Sequence, residues 1–166
     1  SSTSRGLGDV YKRQVQAGYK VLGYDISSKI DKSSGVSQVD NLESLKSMDV
    51  IIFMLPNGKI VSDVTHELLI LGIHSILIDM SSSDPRETKA LGEMLKNNSI
   101  KLIDGPVSGG VSRAKTGELM IMTGGDEDEI NLVKDLLSVM GQVQIAGPLG
   151  SGHATKALNN YVSAAG

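Results

Sequence analysis

A lysine and an asparagine raise the first question of chemistry. In GSGHATKALNN, Lys156 and Asn160 stand at i and i+4, so a helix through them projects both from one face. A lysine partly withdrawn from water there has a lowered pKa and can give or take a proton. An amide one turn on can anchor a substrate hydroxyl. The same spacing also suits an exposed lysine on a solvated helix. Upstream, Asp104-Gly-Pro-Val-Ser-Gly-Gly110 sets one hydroxyl, Ser108, beside Gly109 and Gly110. Flexible backbone of this kind can turn N–H groups toward a carboxylate or phosphate, and it equally suits a tight connection that needs glycine. Asp25 closes a short apolar run. A carboxylate in that place can accept both hydroxyls of an adenosine ribose and repel a 2′-phosphate, and acids are also common in solvated turns.

Other candidates carry less. His153, a lone histidine near a helix start, reads as a capping or surface group and is given no role. His66 and His74 show no metal-ligand spacing. Met120 and Met122 alternate along a strand and read as core. The acids from Asp126 to Glu129 read as compensation of a helix dipole rather than as a metal site.

The elements that must position these groups are legible as apolar runs. Lys20–Tyr24, Val50–Leu55, Ser75–Asp79 and Lys101–Asp104 read as buried strands, with Leu119–Thr123 and Gln142–Ile145 toward the far edge. Runs apolar on both faces suit parallel strands covered on both sides. Between them lie helices. Asp84-Pro85-Arg86-Glu87 predicts an N-cap, a proline at the first helical position and a capping box, with Leu91, Met94 and Leu95 on the buried face. A second helix starts at Asp126, carries Ile130, Val133, Leu136, Leu137 and Met140, and has Gly141 as its stop. Gly147–Gly152 reads as a linker and His153–Ala165 as the start of another helix. Alternating strands and helices argue for an α/β fold with a mainly parallel sheet. In such sheets ligands bind beyond the carboxyl ends of the strands, which is where Asp25, Pro56-Asn57, Asp79–Ser82 and the Asp104–Gly110 loop fall.

Composition narrows the classes. The chain has 166 residues, 40% hydrophobic and 21% charged, which is globular rather than disordered. A net charge of −3 and only 3% aromatics argue against nucleic acid as a partner. No cysteine is present, which removes disulfides and thiolate metal sites and fits a reducing, cytoplasmic setting. No apolar run reaches membrane-spanning length, so no membrane partner is expected.

Taken in order, AGYKVLGYD, IIFMLPN, LIDMSSSDP, DGPVSGGVSRAKTGELMIMTGG and GPLGSGHATKALNN resemble the β-hydroxyacid dehydrogenase family, which includes 3-hydroxyisobutyrate dehydrogenase, tartronate semialdehyde reductase and, more remotely, 6-phosphogluconate dehydrogenase. The resemblance runs from Val15 to Gly166. It implies a Rossmann-type dinucleotide-binding domain and hydride transfer between a nicotinamide and a small hydroxyacid. It implies Lys156 as the general acid and base, Asn160 with Asn159 as substrate amides, and Ser108, Gly109 and Gly110 as the grip on a substrate carboxylate. It further implies Leu55, Pro56, Asn57 and Ser82 along the cofactor, and Asp25 as the cofactor selector, favouring NAD over NADP. A homo-oligomeric parent, built through a helical second domain, is also implied.

The N-terminal stretch departs from that pattern. Gly6-Leu7-Gly8 has no buried strand before it, Tyr11 stands where a third glycine would, and too few residues precede Gly18 for the usual first helix. Asp9-Val-Tyr-Lys-Arg-Gln14 resembles one reading frame of an adapter used in transposase-based sequencing libraries. The expected organisation is therefore 1–14 foreign, 15–150 a partial nucleotide-binding domain lacking its first strand, and 151–166 the start of an interdomain helix, with weak or no NAD binding and no activity for the chain alone. A methyltransferase-like sheet, a 6-phosphogluconate dehydrogenase-like member and a non-catalytic binding module are the competing readings.

Overall fold

The computed structural model describes residues 2–25 and 34–165, with side chains for 8–25 and 34–159. Helix α1 (Ser2–Gln16) leads into β1 (Leu22–Gly23) and, after the undescribed stretch that includes Ile26, β2 (Ser37–Gln38). A 3-10 turn (Leu42–Leu45) precedes β3 (Val50–Phe53), α2 (Gly58–Ile70), β4 (Ile76–Asp79), α3 (Pro85–Asn97) and β5 (Leu102–Asp104). Then come β6 (Val107–Ser108), α4 (Gly110–Thr116), β7 (Leu119–Gly124), α5 (Glu127–Ser138), β8 (Gly141–Gly147) and α6 (Ser151–Ala165). The predicted strands and the helices at Asp84 and Asp126 are present, except that only Leu22–Gly23 of the predicted buried strand Lys20–Tyr24 form a strand, and it is half-buried because it pairs with β2 outside the main sheet; β2 and β6 are too short and too polar to have been legible.

The strands form two sheets among the described residues. A six-stranded sheet runs β3-β4-β5-β7-β6, with β8 also on β7, and β1 pairs with β2 in a separate ribbon. β3, β4 and β5 are parallel, with Phe53 opposite Asp79 and Asp79 opposite Asp104, so their carboxyl ends line up on one edge. β7 is antiparallel to β5 and β6 and parallel to β8. The fold is thus the expected mainly parallel α/β architecture. One layer packs Ile78, Ile103, Ile121, Ile130, Val133, Leu137 and Met140 beneath α1, α4 and α5. The other packs Ile51, Phe53, Val61, Leu68, Leu77, Leu91 and Leu95 beneath α2 and α3. Each fully buried aliphatic side chain contributes about 1.5–3 kcal/mol.

Gly6-Leu7-Gly8 lies inside α1 and forms no strand–turn–helix, and three local expectations elsewhere are corrected. The cost of two helical glycines is offset by burial further along: Val10 is 3% exposed, and Arg13 donates to the carbonyls of Val139 at 3.1 Å and Lys115 at 3.0 Å. Asp84 does cap α3, but it accepts from the Arg86 amide at 2.8 Å and from the Arg86 guanidinium at 2.9 and 3.2 Å. Glu87 does not complete a box; its carboxylate packs against Gly58 at the start of α2. Gly141 is not a helix stop. It begins β8, where a Cβ would collide with the Leu119 carbonyl of the neighbouring strand. Finally, the Gly147–Gly152 stretch is no loose linker. Gly150 and Gly152 are buried, and a Cβ on Gly152 would collide with the Met122 carbonyl.

Candidate functional site at the strand ends

The site is assembled from the turns at the carboxyl ends of the strands. After β3 the chain turns through Leu55, Pro56 and Asn57. The Leu55 amide donates to Ser81 Oγ at 2.8 Å, which ties this turn to the one after β4. Asn57 caps α2, its carboxamide oxygen accepting from the Ile60 amide at 3.0 Å. After β4, Ser81 and Ser83 turn inward on the Asp79 carboxylate: the Ser81 amide donates at 2.9 Å and Ser83 Oγ at 2.8 Å. Ser82, between them, is exposed at the same edge as Leu55 and Pro56.

After β5 the loop leads to β6, where Ser108 is exposed, and then to α4. Gly109 (φ 131°) and Gly110 (φ 67°) both occupy backbone that L-residues avoid. The expected need for glycine there is met by real left-handed geometry.

The start of α6 is fixed from the strand ends. Gly150 has no side chain with which to cap the helix. Asp104, fully buried at the end of β5, does so from a distance: its carboxylate accepts from the Gly150 amide at 2.8 Å and the His153 amide at 2.9 Å. These are the two donors that a capping box would satisfy. His153 is itself buried, and its Nε2 lies 3.2 Å from Asp79 Oδ2. Sequence reasoning gave this histidine no role. The signal that could have found it is two acids ending consecutive strands, Asp79 and Asp104, each needing a buried partner once the strands are in register.

One turn beyond His153, Lys156 is half-buried on α6. Burial alone holds its ammonium below the usual lysine range. Among the described residues no ion pair to Lys156 is formed. Asn159 is exposed, with its amide 3.8 Å from Met122 Sδ. Asn160 comes next on the same helix, at i+4 from Lys156 as predicted, with its side chain outside the described residues. Met122 is buried as expected for core. His66, exposed on α2, has Nδ1 2.7 Å from the Ser62 carbonyl, and no cluster of metal-ligating side chains forms among the described residues.

Asp25 sits apart, exposed after β1 on the two-stranded ribbon. Its charge reaches Tyr11, whose phenol is pushed above the usual range first by burial and second by Asp25. The Tyr11 hydroxyl donates to Met54 Sδ at 3.6 Å. The strand-end site thus joins the residues after β3, β4 and β5 to α6, with Asp25 at its margin. The glycine turn that would cradle a pyrophosphate is not formed by Gly6-Leu7-Gly8.

Known proteins resemble this chain in sequence and fold. The sequence pattern of the family described as the NAD binding domain of 6-phosphogluconate dehydrogenase matches residues 8–150. A probable mitochondrial 3-hydroxyisobutyrate dehydrogenase of Arabidopsis thaliana is 36% identical over 185 residues, covering 96% of this chain and 53% of the plant protein. The mitochondrial 3-hydroxyisobutyrate dehydrogenase of Drosophila melanogaster is 34% identical over 157 residues, covering 90% of this chain and 48% of its own. The solved structure of 3-hydroxyisobutyrate dehydrogenase from Mycobacterium tuberculosis with L-serine superimposes with a TM-score of 0.90 at 26% identity, covering 96% of this chain and 57% of that one. The chain spans about half the length of these relatives.

Proposed function

The chain belongs to the family of the 6-phosphogluconate dehydrogenase NAD-binding domain, and from that membership we propose that it works within an NAD(P)-dependent oxidoreductase interconverting a small β-hydroxyacid and its semialdehyde. The observation that carries this reading is Lys156: a half-buried ammonium without an ion-pair partner among the described residues, on a helix pinned to the carboxyl ends of β4 and β5. In reduction, the Lys156 ammonium gives its proton to the carbonyl oxygen; in oxidation, the neutral amine takes it back from the hydroxyl. Its positive charge also favours the alkoxide character that develops on that oxygen. Ser108, Gly109 and Gly110 would hold the substrate carboxylate, and Asn159 and Asn160 its hydroxyl side.

A nicotinamide dinucleotide would supply or accept the hydride. The residues present fit one end of it. Ser82 is exposed, and Leu55, Pro56 and Asn57 follow β3 at the same edge; an acid at Asp25 would accept ribose hydroxyls and repel a 2′-phosphate, which is why NAD is the favoured dinucleotide in this reading. They do not fit its centre, because α1 runs as a helix through Gly6 and Gly8. Weak or absent NAD binding by the chain alone is the consequence, and calorimetry tests it: a clear micromolar affinity overturns that expectation.

The catalytic reading is tested in a protein in which this domain is joined to the remaining length of its relatives. Lys156→Met should lower kcat on 3-hydroxyisobutyrate by at least about 100-fold, the scale of a lost acid–base group. An unchanged kcat removes Lys156 from the chemistry. Faster turnover of 6-phosphogluconate than of 3-hydroxyisobutyrate by the unmodified protein would move the substrate class to a sugar phosphate.

A further inference from the structure

Asp79, Asp104 and His153 are the most buried ionisable side chains near the site, and the reaction proposed above uses none of them. Their bonds connect its parts. Asp79 holds the turn after β4 through Ser81 and Ser83. Ser81 in turn accepts from Leu55 in the turn after β3. The same Asp79 carboxylate meets His153 on α6, and Asp104 takes the amide of Gly150, just before that helix, and of His153 in its first turn. One buried polar network therefore links the edge that carries Leu55 and Ser82 to the helix that carries Lys156.

We propose that His153 is a positioning residue for Lys156: its imidazole, held by Asp79, fixes the rotation of α6 about its axis so that the lysine one turn further on is kept at the strand ends. The physical case is geometric. Two amide bonds to Asp104 fix where α6 begins but do not by themselves prevent a pivot about that end. A third attachment from a side chain, at a separate carboxylate on the adjacent strand, removes the pivot. Residues i and i+3 lie on neighbouring parts of one helical face, so holding His153 inward directs Lys156 toward the same edge. Close packing demands it as well. Gly152 is tight against the Met122 carbonyl, and a rotation of α6 would drive its backbone into β7 or open a gap there. The partial burial of Lys156 is what such a fixed pose produces.

This inference rests on Lys156 being the proton-transfer group, and the test separates the two ideas. The full chain is prepared unmodified, as His153→Gln and as His153→Ala, with Val133→Ala on α5 as a destabilised control outside the network. Amide exchange reads the hold on α6, and the Lys156 side-chain NMR titration reads its environment. Gln can place a donor near the position of Nε2 and should keep both signals close to those of the unmodified chain. Ala should lose exchange protection from Ala154 through Leu158 while β4 and β5 stay protected, and should move the Lys156 titration up toward that of a surface lysine. Val133→Ala should lower global stability without moving that titration.

A lysine that titrates low both in the unmodified chain and in His153→Ala, with α6 still protected, overturns the positioning role and leaves the acid–base reading standing. A lysine that titrates as a surface group in the unmodified chain, with α6 protection lost in His153→Ala, removes the acid–base reading and supports the hold on the helix. Should His153→Ala fail to fold, exchange in the unmodified chain decides: α6 first-turn amides that exchange as fast as those of β1 overturn the proposal, and amides as protected as those of β5 support it.

Discussion

The two sheets among the described residues differ in length, composition and burial. In the six-stranded sheet, β4 and β5 are buried along nearly their whole length, and their terminal aspartates find partners in a helix almost fifty and more residues away in sequence. In the β1–β2 ribbon, two residues pair with two, Leu22 and Gly23 are only half-buried, and Ser37 and Gln38 are exposed. The difference teaches that strand propensity does not build a site. A strand end becomes chemically useful when its neighbours are in register and a helix closes over it, since only then are its polar groups both desolvated and satisfied. A two-stranded pair has marginal stability of its own. Of the candidate site residues, Lys156 lies on a helix tied to the six-stranded sheet, and Asp25 follows the two-stranded ribbon.

The largest test of that contrast is a matched truncation. Leu77→Ala, at a fully buried position of β4, should cost about 3 kcal/mol or more, while Leu22→Ala in β1 should cost about 1 kcal/mol or less, both read by urea denaturation. Equal losses would mean that the ribbon is as integral to the fold as the main sheet. Next, Asp104→Ala removes the acceptor of two buried amides and should cost about 3 kcal/mol, since each orphaned donor costs roughly 1–3 kcal/mol. A cost below about 1 kcal/mol would show that water or the Gly150 region re-satisfies α6 without the strand end. The smallest effect has the opposite sign. Lys156 binds its proton less tightly in the fold than in the unfolded chain, because burial disfavours the ammonium. At pH below the depressed folded value both states are protonated and the folded state bears the full cost. Stability from this group rises with pH through the window between that value and the ordinary lysine value, where the unfolded chain holds more protons. Lys156→Met should therefore be slightly more stable than the unmodified chain at neutral pH, with the gap closing as pH rises through that window. A variant less stable at neutral pH would show that the ammonium is held by an attraction.

Much of the frame was legible before any coordinates. Val50–Leu55, Ser75–Asp79 and Lys101–Asp104 are apolar on both faces, which only a covered parallel sheet accommodates. Asp84 and Asp126 announced helix starts through side chains that reach a donor two or three residues on, a bond that sequence alone can specify. A helix carrying Lys156 was also read from the sequence, but without a local cap, because the residue before α6 is Gly150 and its capping carboxylate comes from Asp104.

What the sequence could not reveal depended on partners far away. Asp104 caps α6 across forty-six residues, and His153 meets Asp79 across seventy-four. No local pattern encodes those bonds, because they exist only after β4 and β5 are aligned and α6 lies against them. Gly141 and Gly152 looked like a stop and part of a linker, yet each is glycine because another strand's carbonyl occupies the space of a Cβ. That Gly6-Leu7-Gly8 makes no phosphate turn was legible from the missing strand and third glycine, but the helix running through it, with Val10 and Gln14 buried further along, was not. The sequence by itself determined the order and kind of elements, since periodicity and caps are short-range. Tertiary structure alone decided which polar groups are buried and paired at the strand ends, because those bonds form only between segments far apart in sequence.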